Sequence, residues 1–273
     1  MYDLVHFYLI GFAVYHVPMK TMRRRPRKAV AREDAARWVK NNLGFEPDEK
    51  QRLMLSTGSK QGILNCTRQW GKSFIGAAKA VHQACTEAGS LTLVVSPSAR
   101  QSGEFVRKAE IHARRLGIQP KGDGDNEISI LFPNGSRIVG LPGNQATTRG
   151  FSAVALLLID EAAQVNDEMY ASLRPTLATS DGALWLISTP YGRRGFFYDA
   201  WANGGDSWER ISVPATECAR IPAAFLAKER ANTSDRNFRQ EYLCEFSAMV
   251  NGAFDPELVD AAMSDEFEPL VLV

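Results

Sequence analysis

The sequence predicts an α/β protein in which a mainly parallel sheet carries helices on both faces. Three observations lead there. Short apolar runs alternate with helical patterns along most of the chain. Two of those runs, Leu93-Val94-Val95 and Leu156-Leu157-Leu158-Ile159, have no polar residue in alternation, as strands buried on both faces do. The composition is that of an ordinary globular protein, 45% hydrophobic and 23% charged over 273 residues. That is enough chain for one large domain with a small satellite.

In chain order, residues 1–30 read as an apolar and basic extension, poorly ordered. Its apolar and aromatic part, 4–17, is interrupted by His6 and His16 and is shorter than the ~20 residues of a bilayer span. It also lacks the positive leader of a signal peptide. The basic stretch 20–32 fits an arm that contacts DNA or a membrane surface, or a mistranslated upstream extension with the true start at Met19 or Met22. Residues 31–43 predict a helix with Trp38, Val39 and Leu43 on one face. Strands are expected at 62–65, 91–96, 127–132, 136–141, 153–159, 183–188 and 209–213, with a helix over 72–88. Asn134-Gly135 predicts a hairpin between two of them, so part of the sheet is expected to be antiparallel. Together these make a doubly wound core over 31–214. One further helix starts at Pro222, and another is capped by Ser234-Asp235 and carries Phe238, Tyr242 and Leu243. They read as a helical lid subdomain over 215–250, and the acidic stretch 251–273, with Pro256 and Pro269, reads as a linker.

The net charge of +1 excludes a polycation, so any nucleic-acid contact must come from local patches. Candidates are Arg107, Lys108, Arg114, Arg115, Arg193 and Arg194, unless these form a solvated helix face. The four cysteines have no metal-ligand spacing and read as buried thiols in a reducing compartment.

The chemistry lies at strand ends. Cys66-Thr67-Arg68-Gln69-Trp70-Gly71-Lys72-Ser73 stands between a predicted strand and a predicted helix. It matches a phosphate-binding loop except that Cys66 replaces the first glycine. Backbone N–H groups at the helix start would cradle phosphates, Lys72 would reach the β- and γ-phosphates, and Ser73 would hold Mg²⁺. A second apolar strand ends in Asp160-Glu161, which suits Mg²⁺ coordination by Asp160 and water activation by Glu161. A third ends in Ser188-Thr189-Pro190, whose hydroxyls are placed to sense a γ-phosphate. These motifs predict a P-loop NTPase of the three-layer, RecA-like kind that binds and hydrolyses ATP with Mg²⁺.

The motif set resembles the ATPase part of the large terminase subunit of tailed bacteriophages. That family often lacks the first glycine and carries an Arg-Gln pair in the loop, as Arg68-Gln69 does here. Phe45, Pro47 and Gln51 are similar to its adenine motif, and Gln51 offers a donor and an acceptor to a base edge. Residues 96–102 resemble the segment after its second strand, and Ser188-Thr189-Pro190 its coupling motif. Thr148-Arg149-Gly150 resembles the place of an arginine supplied to a neighbouring subunit, so Arg149 in trans and Arg68 in cis compete for the catalytic cation role. The resemblance implies a motor that moves double-stranded DNA in the bacterial host cytoplasm. It also implies a homo-oligomeric ring, a small terminase subunit and a portal protein as partners, and no membrane. The family's nuclease domain would begin where this sequence ends, so DNA cleavage is not expected from these residues. A truncated prophage remnant that only binds nucleotide, and a superfamily-2-like helicase fragment, are the alternatives.

Overall fold

The computed structural model describes residues 34–143 and 150–247. The expectations for residues 1–30, for Thr148 and Arg149, and for 251–273 lie outside the described residues.

Seven strands form one sheet: β1 (Gln61–Cys66), β2 (Leu91–Ser96), β3 (Ser129–Leu131), β4 (Arg137–Pro142), β5 (Val154–Asp160), β6 (Ala183–Ser188) and β7 (Trp208–Val213). Their spatial order is β3-β4-β2-β5-β6-β1-β7, and only the edge pair β3–β4 is antiparallel. All seven expected strands are present, with ends shifted by a residue or two. The turn between β3 and β4 differs from a two-residue hairpin. Phe132 and Ser136 still pair, Gly135 N–H donates to the Phe132 carbonyl, and Gly135 takes φ +82°. The loop therefore has three residues, with glycine supplying the left-handed position that closes it.

Strand parity builds the two cores. Leu64, Val94, Leu156, Leu158, Trp185 and Ile187 point to one face. There they meet α1 (Ala35–Leu43), α2 (Glu49–Ser56), α3 (Lys72–Thr86) and α4 (Ala99–Arg115). Ile63, Leu93, Val95, Leu157, Ile159 and Leu186 point to the other face and meet α5 (Asp167–Leu173) and α6 (Gly195–Asn203). Polar side chains in the central strands would stay unpaired against two apolar layers, which is why these strands lack alternation. Trp185 fills space opposite Gly62, where a Cβ would lie 2.5 Å from the indole ring.

The helix over 31–43 is shorter than expected because Asp34 caps it, accepting from Ala36 N–H at 2.7 Å, and Gly44 ends it at φ +69°. Pro222 and Ser234 are the N-caps of α7 (Ala223–Asn232) and α8 (Asp235–Leu243). None of α7's residues is buried, whereas α8 buries Phe238.

Candidate active site

The parallel order delivers three loops to one edge of the sheet. Asn65 pairs with Ser188, and Asp160 with Ile187, so β1, β6 and β5 end at the same level. β6 lies between the other two, which places its Ser188-Thr189-Pro190 loop between the phosphate loop and the acid pair. The carboxyl ends of parallel strands are where open α/β sheets bind ligands.

Cys66 is still β-strand: it pairs with Val213 and is fully buried. The left-handed positions of the loop fall later, at Gln69 (φ +64°) and Gly71 (φ +97°). A side chain at residue 66 is therefore tolerated, and burial pushes the Cys66 thiol pKa far up, keeping it protonated. Thr67 N–H donates to the Val213 carbonyl at 3.0 Å, and Trp70 is buried beneath the loop. Gly71 is the N-cap of α3, so the open N–H groups of that helix face the site.

Lys72 and Ser73 sit opposite the acids. Ser73 Oγ donates to Asp160 Oδ2 at 2.9 Å, and Lys72 Nζ lies 3.0 Å from Glu161 Oε1 and donates to Thr189 Oγ1 at 3.5 Å. Burial opposes the Lys72 ammonium, but the groups around it, Cys66, Glu161 and Asp160, more than offset it and raise its pKa. Asp160 is buried with Oδ1 unpartnered, and burial, aided by the Glu161 charge, lifts its pKa to about 6. A buried carboxylate oxygen without a donor, beside a serine hydroxyl, fits a hard divalent cation such as Mg²⁺. Glu161 holds a left-handed backbone at φ +52°, a conformation that concentrates at functional sites. Ser188 is buried; its Oγ accepts from Ala163 N–H at 3.2 Å and donates to the Thr189 carbonyl at 2.7 Å. It therefore locks the β6 loop to the turn that follows Glu161.

Two cavities meet at Phe74. One, of about 710 Å³, is lined by Arg68, Gln69, Gly71, Lys72, Ser73 and Glu161, and also by Gln101, Lys108 and Gln164. The second, of about 730 Å³, is lined by Phe45, Gln51, Trp70, Glu217 and Arg220, among others. The first has the chemistry of a phosphate site and the second the mixed apolar and polar character of a base site. Gln51 lines the second cavity, but its Oε1 accepts from Asp48 N–H at 3.0 Å while Asp48 accepts from Gln51 N–H at 2.8 Å. This capping box occupies one acceptor lone pair and aims the side chain. His112 stacks on Phe45, meets the Phe74 ring at a tilt of 58° and contacts the Phe74 carbonyl through Nε2 at 3.1 Å.

Arg68 is exposed and turned to α8, with Nε 2.6 Å from Glu241 Oε2. Thr67 Oγ1 donates to the Glu241 carbonyl and Asn65 Nδ2 to the Cys244 carbonyl, so α8 rests on the phosphate loop. Among the basic candidates, Lys108 faces the phosphate cavity. Arg107 pairs with Glu104, Arg114 with Glu110, Arg115 donates to the Leu43 carbonyl, and Arg193 to the Phe246 carbonyl. Sequence reading passed over Lys108 as a site residue, and also Phe74, Gln101, Gln164, Arg220 and Glu241. Lys108's helical spacing from Gln101 was the available signal; for Arg220 and Glu241 there was none, since they arrive from beyond β7.

The fold and this edge define a P-loop NTPase of the RecA-like kind. The family model for the N-terminal part of the terminase large subunit, T4likevirus-type, matches residues 63–256, and the chain belongs to that family. The terminase large subunit of Thermus virus P23-45 is 25% identical over 248 residues, covering 78% of this chain and 51% of that protein. That of Escherichia phage T5 is 26% identical, covering 69% and 44%. The chain thus spans about half the length of the curated relatives it matches. Among solved structures, the large terminase ATPase domain of Thermus phage P74-26 superposes with a TM-score of 0.65 at 22% identity, covering 76% of this chain and 96% of that one. A large terminase from a thermophilic bacteriophage, solved in complex with ADP, gives 0.62 at 14%, covering 72% and 53%. These similarities do not favour the helicase or remnant alternatives. Among the described residues, no helix is long and apolar enough to cross a membrane.

Proposed function

We propose that this chain is the ATP-hydrolysing motor portion of a phage DNA-packaging terminase, coupling hydrolysis to translocation of double-stranded DNA. The observation that carries the reading is the pair of contact sets at one sheet edge, Lys72 with Glu161 and Thr189, and Ser73 with Asp160. Family membership supports it, as does the thermophilic phage terminase whose structures were determined with ADP and with ATP-γ-S.

Cys66 to Ser73 hold the triphosphate, with the N–H groups at the start of α3 as donors and Lys72 leaving Glu161 for the β- and γ-phosphates. Asp160 and Ser73 hold Mg²⁺, which when bound neutralises charge on the phosphate oxygens. Glu161, freed from Lys72, takes the proton of the attacking water. Thr189 senses the γ-phosphate through Lys72, and Ser188 ties that loop to the acid pair. Arg68 acts as the cation in cis, or Arg149 does so in trans across a ring of subunits. Gln51 reads the adenine edge. Helices over 215–250 act as a lid, residues 251–273 as a linker, and residues 1–30 as an extension. The partners are double-stranded DNA, further copies of the chain, a small terminase subunit and a portal protein, in the host cytoplasm.

Phosphate release from ATP by the purified chain, with and without double-stranded DNA and Mg²⁺, tests the proposal. Mg²⁺-dependent turnover that is abolished in Lys72→Ala is expected. Tight ATP binding without any turnover, in the presence of DNA and a small subunit, would refute it.

A further inference from the structure

We propose that Arg220 is a nucleotide-binding residue that grips the α-phosphate from the segment leading into α7. The inference rests on the ATP-binding reading above and extends it to a residue outside the three strand-end motifs.

The position is specific. Arg220 lines the base cavity beside Gln51, Trp70 and Phe74. Its guanidinium also lies against the phosphate loop: a Cβ at Gly71 would meet Nη1 at 3.4 Å and Nη2 at 3.5 Å. Gly71 caps α3 with φ +97°, where the backbone donors for phosphate open. The guanidinium thus stands where the phosphate side and the base side of the site meet, and the α-phosphate is the part of a nucleotide that joins them.

The donors are available. A guanidinium has five N–H groups in a fixed fork that matches a phosphate. One of them, on Nη2, donates to the Trp70 carbonyl, which orients the fork. No carboxylate among the described residues lies within ion-pairing distance of Arg220. Glu217, three residues earlier, pairs instead with Lys50 at 3.6 Å. The charge is therefore held beside the loop without a counter-ion among the described residues.

The segment is also built rather than loose. Cys218 is buried, Ile221 packs on the core, and Ile221 N–H donates to the Cys218 carbonyl at 2.9 Å. These anchors flank Arg220 and hold its backbone in place, so little freedom is lost when it binds a ligand.

Equilibrium binding of ADP, AMP and adenosine to the full chain, compared with Arg220→Ala and Arg220→Lys, tests this. ATP turnover is measured on the same three proteins. Arg220→Ala should weaken ADP and AMP by about tenfold or more and leave adenosine unchanged, because a charge-assisted bond to phosphate is lost. Arg220→Lys should recover part of the affinity. KM for ATP should rise while kcat at saturation stays within about twofold, the signature of uniform binding. Unchanged ADP affinity with a fall in kcat would overturn the proposal in favour of loop positioning through Trp70. An equal loss for adenosine would overturn it in favour of stacking on the base. Failure of the unsubstituted chain to bind ADP would overturn the ATP-binding reading itself, and this inference with it.

Discussion

Glu161→Gln separates binding from chemistry at this site. Glu161 carries two features at once: its Oε1 is 3.0 Å from Lys72 Nζ, and its backbone is left-handed at φ +52°. Glutamine keeps the size and hydrogen-bonding shape, so the strained backbone is no worse off than with glutamate. The charge alone is removed. A lost general base lowers turnover by about 10²–10⁴. Nucleotide affinity should move the other way. The Lys72–Glu161 pair has side chains 11% and 28% exposed, so its strength lies at the upper end of the surface range, about 1 kcal/mol. Releasing Lys72 from that competitor tightens ATP binding by about fivefold. Single-turnover phosphate release and equilibrium ATP binding with Mg²⁺ read the two effects separately. A fall in turnover of less than tenfold would remove Glu161 from the chemical step. Weaker ATP binding would show that Glu161 shapes the loop rather than competing for Lys72.

Asp160→Asn should abolish Mg²⁺-dependent turnover yet raise the Tm of the unliganded chain by a few degrees, because it removes a buried carboxylate whose pKa is pushed up to about 6. A thermal melt without nucleotide checks this, and a lowered Tm would contradict it. Burial lowers the His112 pKa from 6.5 to about 4, so the unfolded chain binds the proton first as pH falls. Stability present above pH 6.5 should drop by about 3 kcal/mol as pH falls to 4, and urea midpoints for His112→Gln should lose that share of the slope. Gly62→Ala forces a Cβ to within 2.5 Å of the Trp185 ring and should destabilise the fold by about 1–3 kcal/mol in urea.

The sheet was legible because its central strands are continuous apolar runs, and the site's strand-end motifs were legible because loops at parallel-strand ends are short and local in sequence. Lys72, Ser73, Asp160 and Glu161 could be named from spacing alone for that reason. Helix α2 was missed as a helix: its eight residues have little apolar periodicity, and its signal is the Asp48–Gln51 capping box, which sequence reading took for base recognition alone. Lys79 shows what periodicity hides. Its Nζ donates to the Met54 carbonyl at the end of α2 and lies 4.9 Å from the Trp185 ring centroid, and burial lowers its pKa to about 8. A lysine on a helix otherwise reads as a solvated charge. Arg220 and Glu241 were invisible for a further reason: they meet the loop only through tertiary packing of α8 and the segment before α7.

Cys66 shows why the loop departs from its usual pattern without losing its shape. A glycine is needed only where the backbone turns left-handed or a ligand approaches closely. Here β1 stays extended through residue 66, held by its pairing with β7, and the turn is made by Gln69 and Gly71. The side chain at 66 can then join the apolar core beneath the loop, beside Trp70 and Val213. With residue 66 fixed in the sheet and Thr67 and Trp70 buried, the exposed part of the loop is Arg68-Gln69, from which Arg68 reaches Glu241. If Arg68 acts in cis as proposed, reaching a phosphate requires it to leave its 2.6 Å contact with Glu241 on α8. A glycine at 66 would leave the space beneath the loop unfilled without changing where the backbone turns, so the cysteine packs the core under a turn made by its later residues.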